Sequence, residues 1–395
     1  MRKSDDGASL RGDDSPMLRI TAALTLFILV ACAPATLGAP PSQAASPSVA
    51  APTPTPATPS ASPLPGTAFT MPTDREMVTF AADRGALVAF STKEGLPPYD
   101  SKVLRASAPS GPWQTVYESD AHFLPGQVVA GRVALGEYRA PYQGGGAYSE
   151  DFTVIDLSTG NATAVDRFAM SAATFRGGGG GPRRPVGSVV LGPDRVAWTR
   201  LIEGPGGSVT GELRVALLAE PGRVTPIGSS PEWIAALGID ARRLLYVLGG
   251  KSEDQLHVRD LDNGVERIVA TGPVGDQQVV GGIPGFNRAF LAGDWAIWLD
   301  TPGATAGKVR AVNLASGEER TIGAGGSSCD ALSVGTRYVS WYCSANAFVI
   351  LDTKTLEPTR DAPSAIGAAP TASDDALLWF TVVPGGRTVT LFRPR

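Results

Sequence analysis

The sequence predicts an all-β body on three observations. It carries 47 Gly and 33 Pro in 395 residues, a density of turn-forming residues that leaves little room for long helices. Beyond Thr67 a strand-like unit recurs about every 40 to 60 residues, a period that marks arrays of one supersecondary element. No long stretch of helical periodicity interrupts that series, which argues against alternating strands and helices.

The recurrent unit is clearest as a short apolar strand ending in an aromatic. Arg84-Gly85-Ala86-Leu87-Val88-Ala89-Phe90 opens the series. Asp194-Arg195-Val196-Ala197-Trp198, Leu244-Leu245-Tyr246, Trp295-Ala296-Ile297-Trp298, Tyr338-Val339-Ser340-Trp341 and Leu377-Leu378-Trp379 repeat it. Gly131-Arg132-Val133-Ala134-Leu135 is a weaker copy, which makes about seven units. A hairpin with a polar turn follows each copy. Asp156-Leu157-Ser158-Thr159-Gly160, Asp260-Leu261-Asp262-Asn263-Gly264 and Asn313-Leu314-Ala315-Ser316-Gly317 show the turn, and Asp352-Thr353-Lys354-Thr355-Leu356 is a degenerate version. The Gly supplies a positive φ, and the Asp or Asn bonds the local backbone.

An apolar-aromatic strand followed by a polar-turned hairpin is what one blade of a β-propeller requires. We therefore expect a single propeller over residues 67–395, of about seven four-stranded blades. The series resembles the degenerate repeats of TolB-like and other WD40-like propellers over roughly residues 68 to 395, without the Gly-His and Trp-Asp signatures of true WD40 repeats. The last unit ends at Thr388-Val389-Thr390-Leu391-Phe392, a third strand with no chain left for a fourth. Ala68-Phe69-Thr70-Met71 is expected to supply it, closing the ring and removing an exposed edge.

The N-terminus carries a delivery signal. Ile20 to Ala31 is an uncharged apolar run, preceded by Arg19 and followed by Cys32. It is shorter than the roughly 20 residues a membrane-spanning helix needs and fits the core of a cleavable signal peptide. Leu29-Val30-Ala31-Cys32 resembles the bacterial lipobox, which implies cleavage before Cys32 and acylation of its thiol. Two acyl chains anchor stably where one binds reversibly. Residues 1–31 are thus expected to be a signal peptide. Met17-Leu18-Arg19 makes a better basic start than the aspartate-bearing segment before it, so translation is expected to begin at Met17. Residues 32–66 read as a disordered Ala/Pro/Ser/Thr-rich stalk, without aromatics or charges.

Export places the remaining cysteines in an oxidising compartment. If Gly335 and Thr336 lie at a hairpin turn, Cys329 faces Cys343, Ala331 faces Trp341 and Ser333 faces Val339. A Cys329–Cys343 disulfide is the expected product, closing a loop of about 15 residues.

The formal net charge of −4 gives no basic footprint, so nucleic acid is not an expected partner. The two histidines, His122 and His257, stand near no other histidine or cysteine, which leaves no finger-like zinc spacing. No Gly-x-Ser-x-Gly elbow or His-Glu-x-x-His helix is present. Ser107-Ala108-Pro109-Ser110-Gly111-Pro112-Trp113 resembles the Asp-box turn of sialidase-like propellers, with Pro109 where that motif has its aspartate. Asp330, Asp374 and Asp375 read as turn residues, and no catalytic residue, metal ligand or cofactor is assigned.

Two glycine-rich segments remain. Tyr142-Gln143-Gly144-Gly145-Gly146-Ala147-Tyr148 and Gly177–Gly181 with Pro182-Arg183-Arg184-Pro185 read as long loops in the second and third units. Tyr142, Tyr148, Arg183 and Arg184 are the candidate binding residues, because loops of this kind shape recognition faces. The expected function is a monomeric extracytoplasmic lipoprotein, anchored in the cell membrane at the surface or in the periplasm. Its propeller would serve as a binding or scaffolding module for an envelope protein or glycan. The alternative is a propeller enzyme, a hydrolase or lyase acting on carbohydrate or peptide.

Overall fold

The computed structural model describes residues 66–71, 77–93, 98–139, 148–170, 186–273, 289–299, 308–323, 329–335, 337–343, 347–356, 358–359, 371–373, 375–383, 386–393. All of them belong to one compact unit, Pro59–Arg395. The expected signal peptide, Cys32 and nearly all of the expected stalk lie outside the described residues.

The chain folds as an all-β propeller. Among the described residues its strands form seven four-stranded antiparallel sheets. Six blades are each built from four strands consecutive in the chain: blade 1 spans 77–119, blade 2 122–170, blade 3 186–230, blade 4 233–273, blade 5 289–323 and blade 6 329–359. The last sheet, blade 7, is composite, with Thr371–Ser373, Ala376–Val383 and Gly386–Phe392 joined by Thr67–Thr70 from the other end of the domain. The expected closing strand is therefore present, shifted by one residue. Phe69 pairs with Val389 and is 1% exposed.

The apolar-aromatic copies are the second strand of each blade, such as Ala86–Lys93 and Arg195–Glu203. They read as continuous apolar runs because both faces are covered. In blade 1, Leu87 and Ala89 pack toward blade 7, while Val88 and Phe90 pack toward blade 2. The core is correspondingly divided into clusters between successive blades, and the cluster holding Phe69, Leu87, Leu104, Leu378 and Leu391 joins the last blade to the first. First strands of neighbouring blades adjoin one another, at blades 1 and 2, 2 and 3, 3 and 4, 4 and 5, 6 and 7, and 7 and 1, so they are innermost. The approach is close: a Cβ on Gly238 in blade 4 would lie 2.8 Å from the Leu291 backbone nitrogen in blade 5.

The polar turns recur in three dimensions as they do in sequence. Asp156 Oδ1 accepts from the Ser158 and Thr159 amides, Asp260 Oδ1 from Asp262 and Asn263, and Asn313 Oδ1 from Ala315 and Ser316. Gly160, Gly264 and Gly317 follow at φ between 73° and 75°. In the degenerate copy Leu356 takes the glycine's place at φ 56°.

The outer strands contain a feature the repeat pattern hides. In blades 1 to 4 each carries a β-bulge that leaves one β-branched residue unpaired: Val116, Val165, Ile227 and Val269. Each of these packs with the apolar cluster between its blade and the next. A bulge here adds an anchor to the core and also spoils a flat exposed edge for foreign pairing.

The cysteine hairpin needs a correction. Cys329 pairs with Cys343 as expected, but a bulge before Ala331 shifts the register by one. Ala331 faces Tyr342, Leu332 faces Trp341 and Ser333 faces Ser340, with the Gly335 amide bonded to the Tyr338 carbonyl. The turn is therefore centred one position beyond Gly335. The cysteine side chains lie outside the described residues.

Candidate functional site

The two ends of the blades differ. At one end, here called the turn face, the first strand turns into the second and the third into the fourth. At the other, the loop face, the second strand leads to the third and the fourth to the next blade. The connections 72–76, 94–97, 140–147, 171–185, 274–288, 300–307, 324–328, 344–346, 360–370 and 384–385 all join strand ends on the loop face. These residues lie outside the described set, but the strands they join fix the end to which they belong.

The turn face is closed by its own hydrogen bonds. Besides the Asp and Asn turns, the residue after each turn acid reaches the preceding hairpin: Leu157 to Gly131, Leu261 to Arg242, Leu314 to Asp294 and Thr353 to Arg337, with N···O distances of 2.6 to 2.9 Å. Arginines then bridge the blades in sequence. Arg84 donates to the Ala130 carbonyl at 2.8 Å, Arg132 to Pro193 at 2.8 Å, and Arg195 to Asp262 at 3.3 Å. Arg243 donates to the Gly293 carbonyl and to Asp294 at 2.9 and 3.0 Å. Arg320 reaches the Thr355 carbonyl at 3.5 Å. Arg393 bonds Asp375 and lies against Gly85 of blade 1, returning the series to its start. Asp375 is thus a turn residue with an arginine partner, while Asp330 falls inside a strand and Asp374 outside the described residues.

On the loop face, aromatic and charged side chains gather where blade 1 meets blade 2. Tyr99, His122 and Tyr138 form an aromatic cluster, with His122 5.3 Å from Tyr99 and 5.2 Å from Tyr138 between ring centroids. The Tyr99 amide donates to the Asp120 carbonyl, which ties the second-to-third connection of blade 1 to the entry of blade 2. Beside this cluster runs an alternating ion chain. Arg139 bonds Asp120 and Asp151 at 3.0 Å each, and Arg167 bonds the same Asp151 at 2.6 Å. Burial works to lower the Arg139 pKa, but the hydrogen bond and charge of Asp120, with Glu137 and Asp151, outweigh it and raise it. Two arginines on one aspartate fix the rim from which the connection 140–147 leaves.

Of the candidate binding residues, Tyr148 opens the third strand of blade 2 and pairs with Met170, the last residue of the fourth. That register brings the exit of 140–147 beside the start of 171–185, so the two glycine-rich segments leave from neighbouring strand ends. Tyr142, Arg183 and Arg184 lie outside the described residues.

Both histidines are engaged. His257 stacks on Tyr246 at 5.1 Å and bonds Glu266 through Nδ1 at 2.8 Å, a geometry that holds the outer strand of blade 4. Burial pushes the Tyr246 hydroxyl up, and its bond to Glu266 adds to this. Burial opposes the Glu266 charge, yet hydrogen bonds from Tyr246, His257 and Arg259 hold its carboxyl below the usual range. Asp156 and Asp260 are lowered as well: Asp156 mainly by the Ser158 hydroxyl, Asp260 by turn amides and Arg242 against the pull of burial. These oxygens are committed to turn amides and arginines. Among the described residues no group of three or more His, Cys, Asp or Glu is placed to hold a metal ion, and no helix is long and apolar enough to cross a membrane.

No family model matches the sequence, and no curated protein does. Solved structures do. The acylaminoacyl peptidase of Pyrococcus horikoshii matches at 11% identity over 78% of this chain and 49% of that one, with a TM-score of 0.55. The β-propeller domain of the Trilobed protease from Pyrococcus furiosus matches at 10% identity over 80% and 93%, with a TM-score of 0.53. TolB from Acinetobacter baumannii is a looser match, at 14% identity over 70% and 63%, with a TM-score of 0.40. The chain spans about half the length of the peptidase chains it matches. At these identities the likeness shows the β-propeller fold alone. The Trilobed protease propeller is described as having an open velcro topology, whereas here Thr67–Thr70 pairs with Gly386–Phe392 and closes the ring.

Proposed function

We propose that this chain is an extracytoplasmic lipoprotein, held in the membrane through acylated Cys32, whose propeller binds an envelope protein or glycan with its loop face. The observation that carries the binding reading is the one-sided placement of the connections. A face whose described turns are internally bonded has little left to offer a partner, whereas connections on a rigid scaffold are where recognition is usually built. The lipobox resemblance at Leu29-Val30-Ala31-Cys32 supports the anchor, and export would oxidise Cys329 and Cys343, which the register sets opposite one another.

The anchor is tested by fatty-acid labelling in the host. Wild type incorporates label and sediments with membranes, while Cys32→Ala does neither; label persisting in the variant overturns the anchor. The binding face is tested by replacing Tyr142, Tyr148, Arg183 and Arg184 together with Ala, and measuring capture of envelope components by the full chain. Arg242→Ala on the turn face is the control. Loss confined to the loop-face variant supports the reading, and unchanged capture, or equal loss in the control, sinks it.

A further inference from the structure

We infer that Thr67–Thr70 is a releasable strap: it closes only the outer rim between blades 7 and 1, and it can leave while the inner closure of the ring stays intact.

The junction between these blades has separable layers. Innermost, Ser373 Oγ accepts from the Ala82 amide at 2.9 Å and donates to the Ala82 carbonyl at 3.3 Å. In the middle, Ala376, Leu378, Val389 and Leu391 of blade 7 pack with Ala82, Leu87, Ala89 and Leu104 of blade 1. At the turn face Arg393 bonds Asp375 and lies against Gly85. The innermost and turn-face contacts do not use the strap, while the middle cluster also takes in Phe69 and Met71.

The strap itself is held at few points. Of its four residues only Phe69 is buried; Thr67, Ala68 and Thr70 are exposed. It pairs with residues 388–391, and among the described side chains Trp113 Nε1 donates to the Thr70 carbonyl at 2.8 Å. Met71, just beyond, is the second buried anchor. A short, mostly exposed strand with one aromatic knob and no part in the Ser373–Ala82 closure belongs to the low-stability end of a fold and opens locally without global unfolding. Opening would expose a slot lined by Leu104, Leu391 and Trp113, shaped for an extended segment with an aromatic at its third position.

Hydrogen exchange on the full chain tests this. The amides of Thr67–Thr70 that bond the last blade are expected to exchange at least a hundredfold faster than those of Ala86–Lys93. A disulfide introduced with Ala68→Cys and Thr390→Cys, which the register sets opposite, should abolish that difference, and reduction should restore it. Full-length Phe69→Ala should melt lower and be re-stabilised by a synthetic peptide of residues 66–71, with no rescue from the same peptide carrying Ala for Phe. Equal protection of the strap and Ala86–Lys93 in wild type overturns the inference. So does loss of protection across the inner strands whenever the strap exchanges, and so does a well-folded Phe69→Ala protein that the peptide leaves unchanged. If Phe69→Ala does not fold, the wild-type exchange pattern decides alone.

Discussion

Tyr117 Oη donates a 3.0 Å hydrogen bond to Glu137 Oε1, joining the outer strand of blade 1 to the second strand of blade 2. Glu137 is 4% exposed and its other oxygen accepts from Thr153 Oγ1 at 2.9 Å. The tyrosine is presented by the bulge, since Val116 turns inward and Tyr117 follows it.

Tyr117→Phe keeps the ring and removes the donor, leaving one oxygen of a buried carboxylate short of a partner. Such a loss costs about 1–3 kcal/mol, and urea denaturation at neutral pH should read it. Thr153→Val tests the other oxygen and should cost a similar amount. Stability unchanged in both would mean that water reaches Glu137.

The same tyrosine predicts an alkaline limb. Burial, with the Glu137 charge and hydrogen bond, pushes its pKa from 10.0 up to about 12. A folded-state pKa above the unfolded value means the folded state keeps a proton that the unfolded state releases. The contribution is fully present below pH 10 and is lost as pH rises toward 12. The difference in unfolding free energy between wild type and Tyr117→Phe should therefore shrink across that window; a constant difference would refute the linkage.

Leu356 poses two opposed terms. At φ 56° a non-glycine residue carries about 1–2 kcal/mol of backbone strain, but Leu356 is 5% exposed and packs in the cluster between blades 5 and 6. Deleting a buried leucine side chain costs about 2–5 kcal/mol, so burial wins and Leu356→Gly should destabilise by about 1–3 kcal/mol. Ala130, at φ 51° in a hairpin turn, has little side chain to lose. There Ala130→Gly should fall within about 0.5 kcal/mol of wild type, because strain relief offsets the added freedom of the unfolded chain. Thermal melts of the two variants separate the terms.

These cases show what was legible in the sequence. The turn acids, the glycines after them and the closing role of Phe69 were readable because each depends on local chemistry or on counting strands. The bulges were not: Val116, Val165, Ile227 and Val269 break the two-residue alternation by which strand faces are read, so they look like noise. The same blindness displaced the cysteine hairpin, where Cys329 and Cys343 kept their pairing while Ala331 moved to Tyr342. Of the candidate site, the sequence supplied the two glycine-rich segments. That they leave from neighbouring ends depends on the Tyr148–Met170 register, a long-range fact. The Asp120–Arg139–Asp151–Arg167 chain was missed because its members come from separate strands with no shared spacing.

The cysteine pair gives a covalent test. Under the proposed export, protein isolated from the host should carry no free thiol at Cys329 or Cys343, and reduction should add two mass units to the peptide pair that holds them. A bridge over about 15 residues stabilises by roughly 3 kcal/mol in the chain-entropy model. Cys329→Ser with Cys343→Ser should lose about that much against oxidised wild type and little against reduced protein. Free thiols in freshly isolated material would exclude the bridge.

The arginine series on the turn face predicts that blade contacts depend on the guanidinium fork rather than on charge. Arg243 shows it best, since Nη2 donates to the Gly293 carbonyl while Nη1 meets Asp294 and Nε meets Asp240. A lysine carries the charge but cannot make three directed bonds at once, so Arg243→Lys should lose most of what Arg243→Ala loses, about 1–2 kcal/mol. The neighbouring Arg242 side chain is mostly exposed and bonds Asp260; an exposed pair of that kind contributes little to stability. Arg242→Ala should therefore lie close to wild type in the same urea titration. A charge-dominated junction would reverse the pattern, with Arg243→Lys near wild type and the gap between wild type and Arg243→Ala closing in high salt.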